Sequence, residues 1–258
     1  MCALTTPATH EQIPARLLGG PTVLLEYGGL RLLTDPTFDE PGEYPVTEDF
    51  SLVKTAPALA DPADLGPIDA VLLSHDQHAD NLDHSGRALL TSVPVTFTTR
   101  TGAGRLGGNA RGLADWESAT LQGPEGGIVT VTAVPALHGP DGLAQQVMGD
   151  VVGFVLTADD LPAVYVSGDN ASMDAVRQTA DRFGPVDTAV LFIGAVRSPR
   201  VGGELITINS EMAAEAAKIL GARRVVAAHM DSWEHFLEDR DDVIKAFDAA
   251  GLSHLLQA

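Results

Sequence analysis

Short apolar runs closed by turn formers recur along the chain, and their spacing predicts strands in its first half and strand–helix alternation in its second. Thr22–Tyr27 and Leu30–Thr34 flank Gly28-Gly29, which predicts a two-residue β-hairpin because glycine accepts positive φ, and Asp35-Pro36 stops the second strand. From Phe38 to Pro67 the chain is rich in Pro, Asp and Glu without periodicity, so a long surface loop with room for one short helix is expected there, placed to cover a site. Strands are expected at Ala70–Leu73 and Val95–Thr98. A Gly-rich stretch at Thr101–Gly112 follows, then β-like runs at Ala119–Gln122 and Ile128–Ala133 around the turn Gly123–Gly127.

The later half reads differently. After strands near Val151–Thr157 and Ala163–Ser167, Ser172 caps a helix running to Phe183 with Met173, Val176 and Ala180 on one face, ended by Gly184-Pro185. Strand Thr188–Ile193 leads into a Gly/Pro/Arg loop. Asn209 or Ser210 caps a helix through Leu220, strand Val225–Ala228 follows, and a last helix at about Asp241–Ala250 carries the stripe Val243, Ile244 and Phe247 before Gly251. Such a succession favours sheets covered by helices, a mixed α and β class, and no solenoid-type repeat interrupts it.

Four of these strand ends carry candidate ligands. Ala70–Leu73 runs into Ser74-His75-Asp76-Gln77-His78-Ala79-Asp80-Asn81-Leu82-Asp83, His138 follows Val134-Pro-Ala-Leu, Asp169 closes Val164-Tyr-Val-Ser-Gly, and His229 follows Val225-Val-Ala-Ala. Imidazole nitrogen and carboxylate oxygen hold zinc-like cations, and strands that stop at such residues can aim several of them at one point.

Composition narrows the setting. A chain of 258 residues can bury a substantial core, and we expect one domain spanning 1–258. Hydrophobic residues at 45% and charged residues at 20% are ordinary for a globular protein, and no apolar stretch approaches the ~20 residues of a membrane span. The start Met1-Cys-Ala-Leu-Thr-Thr-Pro lacks the basic and apolar regions of a secretory signal, which makes the cytoplasm the expected location. Cys2, the single cysteine, has no internal disulfide partner. A net charge of -19 opposes binding to a phosphate backbone, so nucleic acid is not the expected partner and the charge reads as a solvated acidic surface.

The opening hairpin ending in Leu33-Thr-Asp-Pro36, the Ser74–Asp83 loop, the His138 junction, Ser167-Gly-Asp169 and His229 together resemble the metallo-β-lactamase superfamily. The similarity is to the branch of ascorbate-6-phosphate lactonases and N-acyl phosphatidylethanolamine phospholipase-D-like enzymes. The resemblance implies a four-layer αββα sandwich, α+β in class, with a metal cleft along one edge, and a hydrolase using one or two zinc, iron or manganese ions. The family pattern HxHxDH is altered here. One alignment puts His75 first and Gln77 at the second histidine. The other, which we favour, matches His78-Ala79-Asp80-Asn81 to its HxDH half with one inserted residue, so that His75 still reaches the metal. Either way an amide stands where imidazole is expected, and its neutral oxygen is a weaker zinc ligand.

On this resemblance the first site takes His78, His138 and Asp169 with His75 in addition. The second takes Asp80, His229 and shared Asp169, with Asn81 as a weak contributor. Gln77 and Asn81 are candidates either for weak ligation or for orienting the ligands, and Asp35 for supporting the metal loop or simply making a turn. A bound divalent cation lowers the pKa of its water towards ~7 and makes hydroxide available to attack an ester, lactone, amide or phosphodiester of a small organic substrate; Asp80 is the candidate catalytic residue. Arg197 and Arg200 are candidate clamps for a substrate carboxylate or phosphate. Trp233 and His235 are candidates to line the cleft, with Trp233 and Phe236 also reading as core, while His10, His84 and His254 carry no assignment. Two rivals remain: a non-catalytic binding module with a weakened metal site, and an iron-dependent oxidoreductase.

Overall fold

The computed structural model describes residues 12–48, 50–140 and 142–257; Cys2 and His10 lie outside them. In chain order the first half forms β1 (Ala15–Leu17), β2 (Val23–Tyr27), β3 (Leu30–Thr34), β4 (Gly42–Thr47), β5 (Phe50–Lys54), β6 (Ala70–Leu72), α1 (His84–Leu89), β7 (Thr96–Thr99), α2 (Arg100–Leu106) and β8 (Ala110–Leu113). The second half forms β9 (Ser118–Gln122), β10 (Ile128–Pro135), α3 (Ala144–Met148), β11 (Val152–Ala158), β12 (Leu161–Val166), α4 (Met173–Phe183) and β13 (Thr188–Phe192). It closes with β14 (Arg197–Ser198), β15 (Glu204–Leu205), α5 (Ser210–Ile219), β16 (Arg224–Ala228) and α6 (Arg240–Ala249).

Two six-stranded sheets result, ordered β1-β2-β3-β6-β7-β8 and β16-β13-β12-β11-β10-β9. Side-chain alternation decides how they stack. Leu30 and Leu32 of β3, Leu72 of β6 and Phe97 of β7 point between the sheets, where they meet Val131, Phe154, Val166 and Phe192. The intervening residues face outward: Leu33, Val71 and Leu73 pack under α1 and α2 with Leu82, Leu89, Leu90 and Leu106. On the other side Val155, Tyr165, Ala189 and Leu191 pack under α4, α5 and α6 with Val176, Ala213, Ala217, Val243 and Phe247. The architecture is the αββα sandwich that the resemblance implied. Strands buried on both faces read as continuous apolar runs, and Ala70–Leu73 and Thr188–Ile193 do so for that reason.

Three segments depart from the sequence expectation. The expected 38–67 loop contains the hairpin β4–β5 and a 3-10 turn at Pro62–Leu65. Only Tyr44 and Leu52 of that hairpin reach a core, and they do so against Trp233 almost two hundred residues later, so no local periodicity announces it. The Gly-rich 101–112 stretch, for which the sequence predicts no element, holds most of α2 and most of β8. Thr99 Oγ1 caps the helix at Gly102 N (2.9 Å), and a Cβ at Gly112 would lie 2.5 Å from Arg100 Cα, so that glycine permits close packing. The loop after Thr188–Ile193 holds the small pair β14–β15. The Gly28-Gly29 hairpin turn forms with φ of 61° and 77°. No helix among the described residues is long and apolar enough to cross a membrane.

Strand direction sets the location of the candidate ligands. β3 and β6 are parallel, as are β12, β13 and β16, while β10 and β12 are each antiparallel to β11 and therefore run the same way. The C-terminal ends of β3, β6, β10, β12 and β16, followed by Asp35, Ser74–Asp83, His138, Asp169 and His229, consequently gather at one edge of the sandwich.

Candidate metal centre

Each side chain is delivered by a backbone feature at its strand end. Asp35 and His229 leave β3 and β16 in left-handed conformation, with φ of 27° and 57°, an arrangement that costs a non-glycine residue about 1–3 kcal/mol and turns both side chains into the edge. Gly168 lets the Ser167–Asp169 segment approach the Ser74 loop, since a Cβ there would stand 2.7 Å from Ser74 Cβ and 2.8 Å from Val152 O. His138 Nδ1 donates to Ile206 O (2.7 Å), which turns its Nε2 lone pair inward. Ser74 Oγ donates to Asp35 Oδ1 (2.6 Å) and stands 2.9 Å from His75 Nδ1; with the hydroxyl proton on Asp35, the ring must donate and its Nε2 lone pair also faces inward.

The side chains meet as two groups that share one carboxylate. His75, His78, His138 and Asp169 form the first, and Asp80, Asp169 and His229 the second. His78 Nδ1 lies 2.8 Å from His75 Nε2 and 3.2 Å from His138 Nε2. Asp169 turns Oδ2 towards His138 Nε2 (3.5 Å) and His75 Nε2 (4.0 Å), and Oδ1 towards His229 Nε2 (3.6 Å). His229 Nε2 is also 3.3 Å from Asp80 Oδ2.

Burial governs the charges. It drives His75 well below the ordinary imidazole range and His78 down to about 4, with neighbouring imidazoles adding to the effect, so both rings keep neutral lone pairs at physiological pH. For His229 burial works the same way, but the charge of Asp169, the contact with Asp80 and the charge of Asp35 outweigh it and the net direction is upward. Asp80 is opposed by burial, yet His235 and His229 hold it well below the carboxylate range. Asp35, fully buried and repelled by Asp169, is pushed well above that range despite its bonds from Ser74.

The residues fit a cation by two tests. Donors 2.0–2.2 Å from a tetrahedral ion stand about 3.3–3.6 Å apart. The 3.5 Å His138–Asp169, 3.3 Å His229–Asp80 and 3.6 Å His229–Asp169 separations fall in that span, while His78 Nδ1 stands closer than that to His75 Nε2 (2.8 Å) and His138 Nε2 (3.2 Å), and His75 Nε2 stands farther from Asp169 Oδ2 (4.0 Å). Second, Asp80 Oδ1, Asp169 Oδ2 and both His229 nitrogens are buried without a hydrogen-bond partner, an arrangement that costs free energy unless something occupies the space between them.

The remaining sequence candidates separate. His75 and His78, three residues apart in sequence, both face the cluster, while Asp76 turns away to Arg105 Nε (3.0 Å). Asn81 is buried, and its Nδ2 reaches Asp169 Oδ1 (3.2 Å) and, at 3.5 Å, Asp35 Oδ1, the geometry of an orienting amide. Gln77 is exposed, and its side chain lies against Gly149, outside the buried groups. Arg197 is exposed and spends one donor on Gly203 O (3.0 Å), whereas exposed Arg200 lies near enough for its charge to lower the pKa of His78. Trp233 is buried against Tyr44 and Leu52, as its core reading had it. His235, named only as a cleft candidate, touches the cluster directly, its Nε2 2.9 Å from Asp80 Oδ2. The sequence held no spacing signal for it, because it sits in an irregular segment after the last strand of its sheet.

The family model described as a beta-lactamase superfamily domain matches residues 30–230, most of the chain and every member of both groups. The chain belongs to the metallo-β-lactamase superfamily. Among curated relatives, the N-acyl-phosphatidylethanolamine-hydrolyzing phospholipase D 1 of Caenorhabditis elegans is 26% identical over 91% of this chain and 70% of its own length. A protein of Methanosphaerula palustris named a metal-dependent hydrolase is 29% identical over 70% of this chain and 76% of its own. Among solved structures, a possible metal-dependent hydrolase from Veillonella parvula shares the fold with a TM-score of 0.80 at 19% identity, covering 96% of each chain. The isothiocyanate hydrolase from Delia radicum gut bacteria does so at 0.78 and 23%, covering 94% of each. At this level of description the chain is a metal-dependent hydrolase of that superfamily.

Proposed function

We propose that the chain, acting as one domain, holds one or two divalent cations and hydrolyses an ester, lactone, amide or phosphodiester bond in a small organic substrate. Zinc is the leading cation, with manganese or iron as alternatives. The observation that carries this reading is the division of Asp169: its two oxygens face two different groups of buried imidazoles and carboxylates, as a residue bridging two ions would. His75, His78 and His138 would hold the first ion with Asp169, and Asp80 and His229 the second. A cation there supplies Lewis acidity and lowers the pKa of water near it.

The chain's own residues do the rest. Ile206 O and the Asp35–Ser74 pair set the tautomers of His138 and His75, so that both Nε2 atoms are acceptors before anything binds. Asn81 orients Asp169. Asp80, kept ionised by His235 and His229, is the group placed to orient the attacking water and to carry its proton towards the leaving group. Arg200 is the stronger of the two arginine candidates for meeting an anionic part of the substrate, because its charge is felt at His78. The similar proteins named for their activity act on a phospholipid and an isothiocyanate, two different kinds of bond. The -19 charge supports a small molecule over nucleic acid.

Metal analysis of the purified protein with parallel esterase and lactonase assays tests the reading. Stoichiometric zinc or manganese, with hydrolysis lost in His138→Ala, supports it. No metal after careful loading would leave a binding module, and iron with oxygen consumption an oxidoreductase.

A further inference from the structure

Three buried carboxylates stand at the cluster, and each is steadied by a different neighbour. Asp35 Oδ1 accepts from Ser74 N (3.0 Å) and Ser74 Oγ (2.6 Å), and Asp169 Oδ1 from Asn81 Nδ2 (3.2 Å). Asp80 has a single hydrogen-bond partner among the described residues, His235 Nε2 at 2.9 Å, and its Oδ1 has none. The second group contains one imidazole against three in the first, so its geometry depends more heavily on where the Asp80 carboxylate points.

His235 is itself held from outside the ligand loops. Its ring centroid is 4.6 Å from Phe236, which also packs 4.4 Å from His229, and 6.2 Å from Trp233. Trp233 is anchored to β4–β5: it lies 5.2 Å from Tyr44, forms a backbone bridge with Lys54, and carries the Lys54 ammonium over its ring, while Glu234 N donates to Val53 O (3.0 Å). Lys54 in turn is fully buried against Asp83, which caps α1 at the end of the ligand loop. The hairpin thus connects the Ser74–Asp83 loop to the 233–236 segment around the second group.

We propose that His235 is a positioning residue for Asp80, donating its Nε2 proton to Oδ2 so that the carboxylate is aligned for a cation in the second group without His235 ligating that cation. This rests on the reading that Asp80, Asp169 and His229 hold an ion. Neutral imidazole can donate through Nε2 while Nδ1 stays unprotonated, and a donor fixed on a ligating carboxylate commonly governs affinity about 10–100-fold.

The test uses the full chain loaded with cobalt(II), with ion stoichiometry measured after desalting, the visible cobalt absorption spectrum, and chelator competition for the more weakly held ion. Thermal melts of the metal-free proteins check that each variant is folded. The wild type should hold two ions. His235→Ala should weaken only the second by about 10–100-fold, whereas His235→Gln, whose amide nitrogen donates as the ring does while its neutral oxygen is a much weaker ligand than imidazole, should stay within a few-fold of wild type with an unchanged spectrum. Wild-type affinity in His235→Ala overturns the inference, and so does a His235→Gln protein as weak as His235→Ala, which would make the ring a ligand. A wild type holding fewer than two ions instead overturns the reading of the second group on which the inference stands.

Discussion

The two halves of the cluster are built by different physics. In the first, His75 and His78 are driven neutral by burial, and backbone or hydroxyl partners fix the rings of His75 and His138 before any ligand arrives. In the second, Asp80 and His229 attract one another at 3.3 Å, burial is overcome by opposite charge, and the His229 backbone is held in a left-handed conformation. The first is thus pre-formed as a set of lone pairs. The second is closer to a buried ion pair, stable only in so far as its charges compensate each other. Neutral imidazoles need little reorganisation to take a soft or borderline cation, whereas the carboxylate-rich half depends on hard oxygen donors and on whatever keeps them aligned.

The contrast can be broken most severely at the one residue both halves share. Asp169→Ala should remove both ions and lower hydrolysis by at least on the order of 10³-fold, measured as metal content together with kcat/KM, since electrostatic stabilisation in a buried site accounts for losses of this size. Retention of two ions would show that the halves are independent. Single deletions sharpen the difference: His138→Ala should abolish measurable turnover, while His229→Ala should leave about one ion and a residual activity, roughly 10–100-fold down if the second ion assists more than it drives. Equal loss in both would erase the asymmetry.

A control away from either set of ligands comes next. Lys54→Met leaves Asp83 buried without its ammonium, although Gly86 N and Asp39 N still donate to it, and should lower stability by about 3 kcal/mol in urea unfolding with ion stoichiometry retained. Loss of one ion in that variant would show that the hairpin tunes the second group directly. The smallest effect is expected from Asn81→His, which adds an imidazole beside the second group but removes the amide bonds to Asp169 and Asp35. We expect roughly tenfold tighter binding of the weaker ion in chelator competition. An unchanged affinity would mean that orienting Asp169 matters as much as one more nitrogen.

Much of this was legible in the chain. The hairpin at Gly28-Gly29, the helices capped by Ser172 and Asn209 and the buried strands at Ala70–Leu72 and Thr188–Phe192 follow from local spacing, since caps, turns and alternation act over a few residues. The six residues named as ligands all come to the same edge, because each terminates or follows a strand of the same direction. The hairpin β4–β5, the helix within the Gly-rich stretch and the importance of His235 were not legible. Each depends on a partner far away in sequence: Tyr44 and Leu52 on Trp233, Gly112 on the packing of α2, His235 on Asp80.

By itself the sequence determined the kinds of element, their order and the chemical identity of the groups at the strand ends, because propensity, capping and side-chain chemistry are local properties. Only the folded chain decided that Asp169 turns one oxygen to each group, that Asn81 directs its Nδ2 at Asp169, that Gln77 faces away, and that a histidine outside every motif reaches Asp80. Those are matters of direction and of ångström-scale separation between residues up to about two hundred positions apart, and they are set by how two sheets stack, which no single stretch of chain encodes.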